Sequence, residues 1–280
     1  MKIVLIGLFS AIGGLLFGLD LGYISGIMAM ASFHEDVNGG VPLDDVTTGS
    51  VTAIFSVGAV VSSFPPVAGA LVGLLGRKGA ICLGAVLFSL GALLQGLAHG
   101  LGRIYVGRVI SGAAIGLLSV NVPLYLGELA QAHVRGSMVA LYQLAITAGI
   151  MVAFWLNYAV EAAPGGWRIS VLLQLLPGGT LALGMLWLPQ SPRWLVSMGR
   201  RAEATTALER VRGPEDDVHA EIAQIAEAFA EEMASGEPSW REFGSGPMLR
   251  RLLVGVTLQL LQQLCGMNAF MYAQLEGLTR

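Results

Sequence analysis

Seven stretches of this chain, 3–30, 50–73, 80–98, 103–126, 137–160, 168–189 and 252–273, are apolar over the length a helix needs to cross a bilayer, about 20 residues. A backbone in hydrocarbon must satisfy its own polar groups, so runs of this length fold there as helices. The expected class is an all-α membrane protein: a six-span bundle, an insert, then a seventh span. Only 12% of the 280 residues are charged and 54% are hydrophobic, against roughly 25% charged in soluble domains. The first run starts with Met1-Lys2 and offers Ala29-Met30-Ala31 as a small-residue cleavage site. Its length, the Asp20 within it and the spans that follow favour a retained helix over a signal peptide.

Lysine and arginine set the expected orientation. Lys2, Arg77, Lys78, Arg135 and Arg193, with the further arginines of 200–251, fall in alternate loops, which the positive-inside rule places in the cytoplasm with the N-terminus. The expected location is the plasma membrane. Three domains are expected: a six-span bundle at 1–189, a cytoplasmic helical linker at 190–248, and the seventh span with a short tail at 249–280. Within the linker, 202–212 and 216–233 read as amphipathic helices separated by Gly213-Pro214.

Several function classes drop out. The net charge is −3 and the basic residues form no patch, so nucleic acid is not an expected partner. Cys82 and Cys265 are the only cysteines and the four histidines lie in loops or near span ends, leaving no disulfide framework and no metal spacing. No phosphate-binding glycine loop, nucleophile elbow or His-Glu-x-x-His helix occurs, so the chain reads as a non-enzyme without cofactor.

Asp20 sits midway along the first span. A carboxylate at that depth is costly enough to mark a functional site, and Arg108 in the fourth span is its candidate partner. Protonating Asp20 would free Arg108; a permanent pair that only fixes packing is the alternative. Side-chain amides form a second group: Gln143, Gln174, Gln259, Gln262, Gln263 and Asn268. Amides both donate and accept, which suits a polyhydroxylated ligand. For Gln174, bonding between helices is the plainer expectation. Gln262, Gln263 and Asn268 crowd around Gly266, the kind of interrupted helix that binds ligand in transporters. Pro65-Pro66, Pro123 and Pro177 are expected to curve their spans.

Together these segments resemble the sugar-porter family of the major facilitator superfamily, most closely its fungal members, from about residue 13 to Tyr272. The motifs are Gly13-Gly14-Leu15-Leu16-Phe17-Gly18-Leu19-Asp20 with Ile24-Ser25-Gly26; Gly107-Arg108-Val109-Ile110-Ser111-Gly112; Val122-Pro123-Leu124-Tyr125 with Gly127-Glu128 and Arg135-Gly136; Pro189-Gln190-Ser191-Pro192-Arg193-Trp194; and Gln262-Gln263-Leu264-Cys265-Gly266-Met267-Asn268. The resemblance implies alternating access by two six-span bundles around a monosaccharide, with the proton as coupling ion. It assigns Gln143, Gln262, Gln263 and Asn268 to sugar hydroxyls and Phe17 to the sugar ring. Asp20 and Arg108 would couple the proton, and Arg77, Glu128, Arg135 and Arg193 would form a cytoplasmic gate. Two departures bear on that gate: Gly73 and Leu74 stand where the family carries Asp-Arg, and Gln190 replaces an acid. Past Tyr272 the family pattern ends, which leaves open a truncated, non-transporting form or a membrane sensor that partners a full-length relative. The particular sugar and the oligomeric state are not legible.

Overall fold

Proline and glycine punctuate the chain into helices as their backbone chemistry requires. The structure is a computed structural model that describes residues 2–131, 133–234 and 246–266. Among them are α1 (Lys2–Ser10), α2 (Ile12–Ala29), α3 (Ala31–Asn38), α4 (Asp45–Ser63), α5 (Pro65–Gly96), α6 (Leu101–Leu129) and α7 (Arg135–Val160). There follow α8 (Gly166–Leu173), α9 (Leu175–Met185), α10 (Pro192–Ser197), α11 (Arg201–Glu209), α12 (Val218–Ala234) and α13 (Gly246–Leu264). No strand occurs among the described residues. Pro65 and Pro66 open α5, where the missing N–H groups cost nothing, after a break at Phe64. Ser191 caps α10 by accepting from the Trp194 N–H, with Pro192 in the first turn.

Six helical stretches among the described residues are long and apolar enough to cross a membrane: Val4–Ala29, Asp45–Ser63, Pro65–Gly96, Leu101–Leu129, Arg135–Val160 and Gly166–Met185. Their contacts show how the crossings alternate. Arg108 reaches the Val51 carbonyl and Gly116 abuts Ala59 and Ser62, so α4 runs with α6. Gly84 meets Leu118 and Gly91 meets Ser111, so the later part of α5 runs against α6. The reversal is at Gly76, whose φ of 70° and ψ of 174° divide α5. Residues 45–75 therefore form one crossing bent at the proline pair, and 77–96 form the next. The break expected between 73 and 80 is thus a single left-handed residue, a conformation glycine adopts without strain.

The remaining spans close around this trio. Gly14, Gly18, Gly22 and Gly26 of α2 lie against Tyr142, Ile146, Ala153 and Asn157 of α7, in parallel. A Cβ on Gly18 would strike the Ile146 carbonyl and one on Gly14 would come within 2.5 Å of the Tyr142 carbonyl. Glycine every fourth residue presents one bare helix face, and in lipid, where apolar burial drives little association, backbone proximity supplies the packing. Outward-facing Leu144, Trp155, Tyr158, Leu176 and Trp187 are exposed, as an apolar solvent allows.

Two compact units partition the chain, Met1–Ile225 and Ala226–Arg280. The first includes α10 and α11, which dock on the bundle: Trp194 donates to the Gly73 carbonyl at 3.2 Å and Arg212, just past α11, to that of Leu129 at 2.8 Å. The second contains α13, which covers part of the expected seventh span; Arg250, Arg251 and three glutamines make it more polar than the six crossings. Residues 267–273 of that expected span lie outside the described residues.

Candidate functional site

Asp20 is the ninth of the 18 residues of α2, and the glycine face that seats α2 on α7 leaves its carboxylate facing α6. Arg108 of α6 donates from Nη1 to Asp20 Oδ2 at 2.8 Å. The two side chains are 2% and 1% exposed, Arg108 and Asp20 respectively. The guanidinium also donates from Nε to the Val51 carbonyl at 3.3 Å, and its carbon lies 4.6 Å from the Phe55 ring centroid, a cation–π distance. Asp20 Oδ1 is buried without a hydrogen-bond partner. An ion pair out of water is costly unless its remaining valences are met, and here one is left open.

Three further polar residues complete the cluster. The Tyr23 hydroxyl donates to Gln95 Oε1 at 2.6 Å and accepts from Arg108 Nη1 at 3.4 Å. Gln95 Nε2 donates to Ser111 Oγ at 3.0 Å and to the Gly91 carbonyl at 3.3 Å. All are buried. None of these was singled out from the sequence, yet the spacing held a signal: Tyr23 is three residues after Asp20 and Ser111 three after Arg108, on shared helix faces. Gly107 explains its own place beside Arg108, because a Cβ there would fall on Gln95 Cγ.

At the Gly76 end of the bundle, Arg77 donates to Glu128 Oε1 from Nη2 at 2.8 Å and from Nε at 3.2 Å. Glu128 Oε2 accepts from the Ser191 hydroxyl. Gln190 straddles the reversal, accepting from the Lys78 N–H at 3.0 Å and donating to the Leu75 carbonyl at 3.4 Å. Its amide has both a donor and an acceptor, which bracketing Gly76 requires and a carboxylate lacks. Arg135 and Arg193, assigned to the same gate, are exposed and make no ion pair among the described residues. At the opposite end, Trp167 Nε1 and Arg168 Nε both donate to Asp36 Oδ2, at 2.9 and 3.0 Å.

The amide group falls in both units. Gln143 is exposed on α7, whereas Phe17 is half-buried and packs on the bundle core. Gln262 and Gln263 are exposed on α13, in the second unit, and Asn268 lies outside the described residues. Gln174 is buried where α8 gives way to α9, with its Nε2 unpartnered, so the expected bond between helices is not made through that nitrogen.

A family model described as "Sugar (and other) transporter" matches residues 6–274. The chain belongs to this family. Among curated relatives, a probable glucose transporter of Neurospora crassa is 36% identical over 96% of this chain and 47% of its own length. The arabinose-proton symporter of Escherichia coli is 34% identical over 94% and 53%. The glucose transporter GlcP of Staphylococcus epidermidis is 35% identical over 96% and 57%. The chain thus spans about half the length of the curated relatives it matches, and those relatives are bacterial as well as fungal. Among solved structures, the proton:xylose symporter XylE of the major facilitator superfamily, bound to 6-bromo-6-deoxy-D-glucose, superposes with a TM-score of 0.83 at 26% identity, covering 97% of this chain and 61% of XylE.

Proposed function

We propose that this chain supplies the first bundle of a proton-coupled monosaccharide transporter of the plasma membrane, with its N-terminus in the cytoplasm and the proton as coupling ion. The observation that carries the reading is the buried Asp20–Arg108 pair with Asp20 Oδ1 unbonded. A carboxylate oxygen without a donor is open to a proton, and neutralising Asp20 removes the one charged partner of Arg108. The equilibrium between bundle conformations then depends on proton occupancy, as coupling requires. Relatives that include an arabinose-proton symporter support the class of substrate and of coupling ion. Gln143, with Gln262, Gln263 and Asn268, holds sugar hydroxyls in this reading, and Phe17 meets the ring.

The test is accumulation of labelled xylose and glucose in proteoliposomes containing the two-bundle transporter in which this chain is the first bundle, with and without an inward proton gradient. Gradient-driven accumulation is expected, lost in Asp20→Asn while exchange of labelled for unlabelled sugar survives. Uptake that ignores the gradient, or no uptake at any pH, overturns the reading.

A further inference from the structure

We infer that Tyr23, oriented by Gln95, is a positioning residue for the coupling pair: it offers Arg108 a second resting place when Asp20 takes a proton. The inference rests on the proton-coupling reading of Asp20 and is independent of which sugar is carried.

Hydrogen-bond direction carries it. A backbone carbonyl only accepts, so the Gly91 oxygen obliges Gln95 to turn its nitrogen that way, at 3.3 Å, with Ser111 Oγ at 3.0 Å on the same nitrogen. The amide oxygen then faces Tyr23 at 2.6 Å. An amide oxygen cannot donate, so the Tyr23 hydrogen is committed to Gln95. What the hydroxyl has left is lone pairs, and Arg108 Nη1 lies 3.4 Å from them and 2.8 Å from Asp20 Oδ2. One guanidinium nitrogen is therefore shared between an oxygen whose charge varies and an oxygen whose polarity does not.

The same chain of bonds explains why Asp20 Oδ1 stays unpartnered. Tyr23, one turn further along α2, is a neutral donor whose hydrogen is spent on Gln95. Among the described residues, the charged and titratable groups that act on Asp20 are Arg108 of α6 and Tyr23 of its own helix. Once Asp20 is protonated, Arg108 keeps the Tyr23 oxygen, the Val51 carbonyl and the Phe55 face, so the neutral state does not strand a buried cation. Room for the relay comes from two missing side chains: a Cβ on Gly107 would fall on Gln95 Cγ and one on Gly91 on Ser111 Oγ.

The experiment follows the infrared carboxyl band of Asp20, assigned by its loss in Asp20→Asn, against pH in the reconstituted protein. Tyr23→Phe keeps the ring and its packing while removing the oxygen, so Arg108 falls back wholly on the carboxylate. The band is expected to appear about one pH unit lower. Gln95→Met releases the Tyr23 hydrogen to turn toward the carboxylate, and also moves the midpoint down. Because Gln95 acts through Tyr23, the double variant moves no further than Tyr23→Phe alone. A midpoint that is unchanged or raised in Tyr23→Phe overturns the inference, as do shifts that add in the double variant. A carboxyl band that never titrates in the unsubstituted protein overturns the coupling reading itself, and this inference with it.

Discussion

Two arginine–carboxylate pairs tie α6 to its neighbours, and they differ in what their acids have left over. Glu128 at the Gly76 end is saturated: Arg77 occupies one oxygen twice and Ser191 the other. Asp20, in the interior, holds Arg108 through one oxygen and leaves the second bare. The Arg77–Glu128 pair is 20% and 9% exposed, the Arg108–Asp20 pair 2% and 1%. Solvent can repair the first pair if it opens and cannot reach the second. A deficit in the place where it costs most suits the coupling role proposed for Asp20, whereas a saturated pair at a bundle end suits a fastener.

The sharpest way to break that contrast is Arg108→Leu, which strands Asp20 and is expected to cost about 3–5 kcal/mol in detergent unfolding. Asp20→Asn, which leaves Arg108 its other partners, should cost roughly 2 kcal/mol. Equal losses in the two variants would erase the asymmetry between acid and base. Next comes Gly107→Ala: displacing Gln95 should cost about 1–3 kcal/mol while leaving cross-linking between cysteines placed at 77 and 128 unchanged. Glu128→Gln should cost about 1 kcal/mol, and it leaves the pH dependence of the Asp20 infrared band untouched, since a fastener does not tune the interior.

The smallest effect belongs to Asp36, whose carboxyl is held below the usual range by the Trp167 indole hydrogen and then by Arg168. An acid depressed in the folded state contributes stability above the ordinary carboxylate range, and loses it as pH falls through the depressed value. Trp167 fluorescence should therefore stay constant from neutrality into mild acid and change only in strong acid. Asp36→Asn abolishes that acid step, at under about 1 kcal/mol because the pair is partly solvated.

Long apolar runs made the crossings readable, because lipid leaves a helix no other option, and charge inside such runs made Asp20 and Arg108 stand out. Gly76 was readable only as a loop; that one residue makes the whole reversal depends on φ, which composition does not encode. Tyr23, Gln95 and Ser111 escaped notice because each is ordinary in a membrane helix, and only the meeting of α2, α5 and α6 turns them into one network. α3 was hidden for another reason: 31–38 mixes Phe33 and Val37 with His34, Glu35 and Asp36, and its helix packs Phe33 edge-on against Trp167, 131 or more residues away from its polar partner in sequence. The amides of Gln143, Gln262, Gln263 and Asn268 were legible as polar chemistry inside apolar runs, but the sequence does not encode their arrangement in space.

The bare glycine face of α2 has a mechanical consequence. With Gly14, Gly18 and Gly22 pressed to the backbone of α7, neither helix can slide or roll on the other without a clash, and the two form a single stiff plank. Gln143 follows Tyr142 on one rail, and Asp20 follows Gly18 by two residues on the other. In the proposed function, a sugar held by Gln143 and a proton on Asp20 load the same plank, so that a tilt produced by one reaches the other.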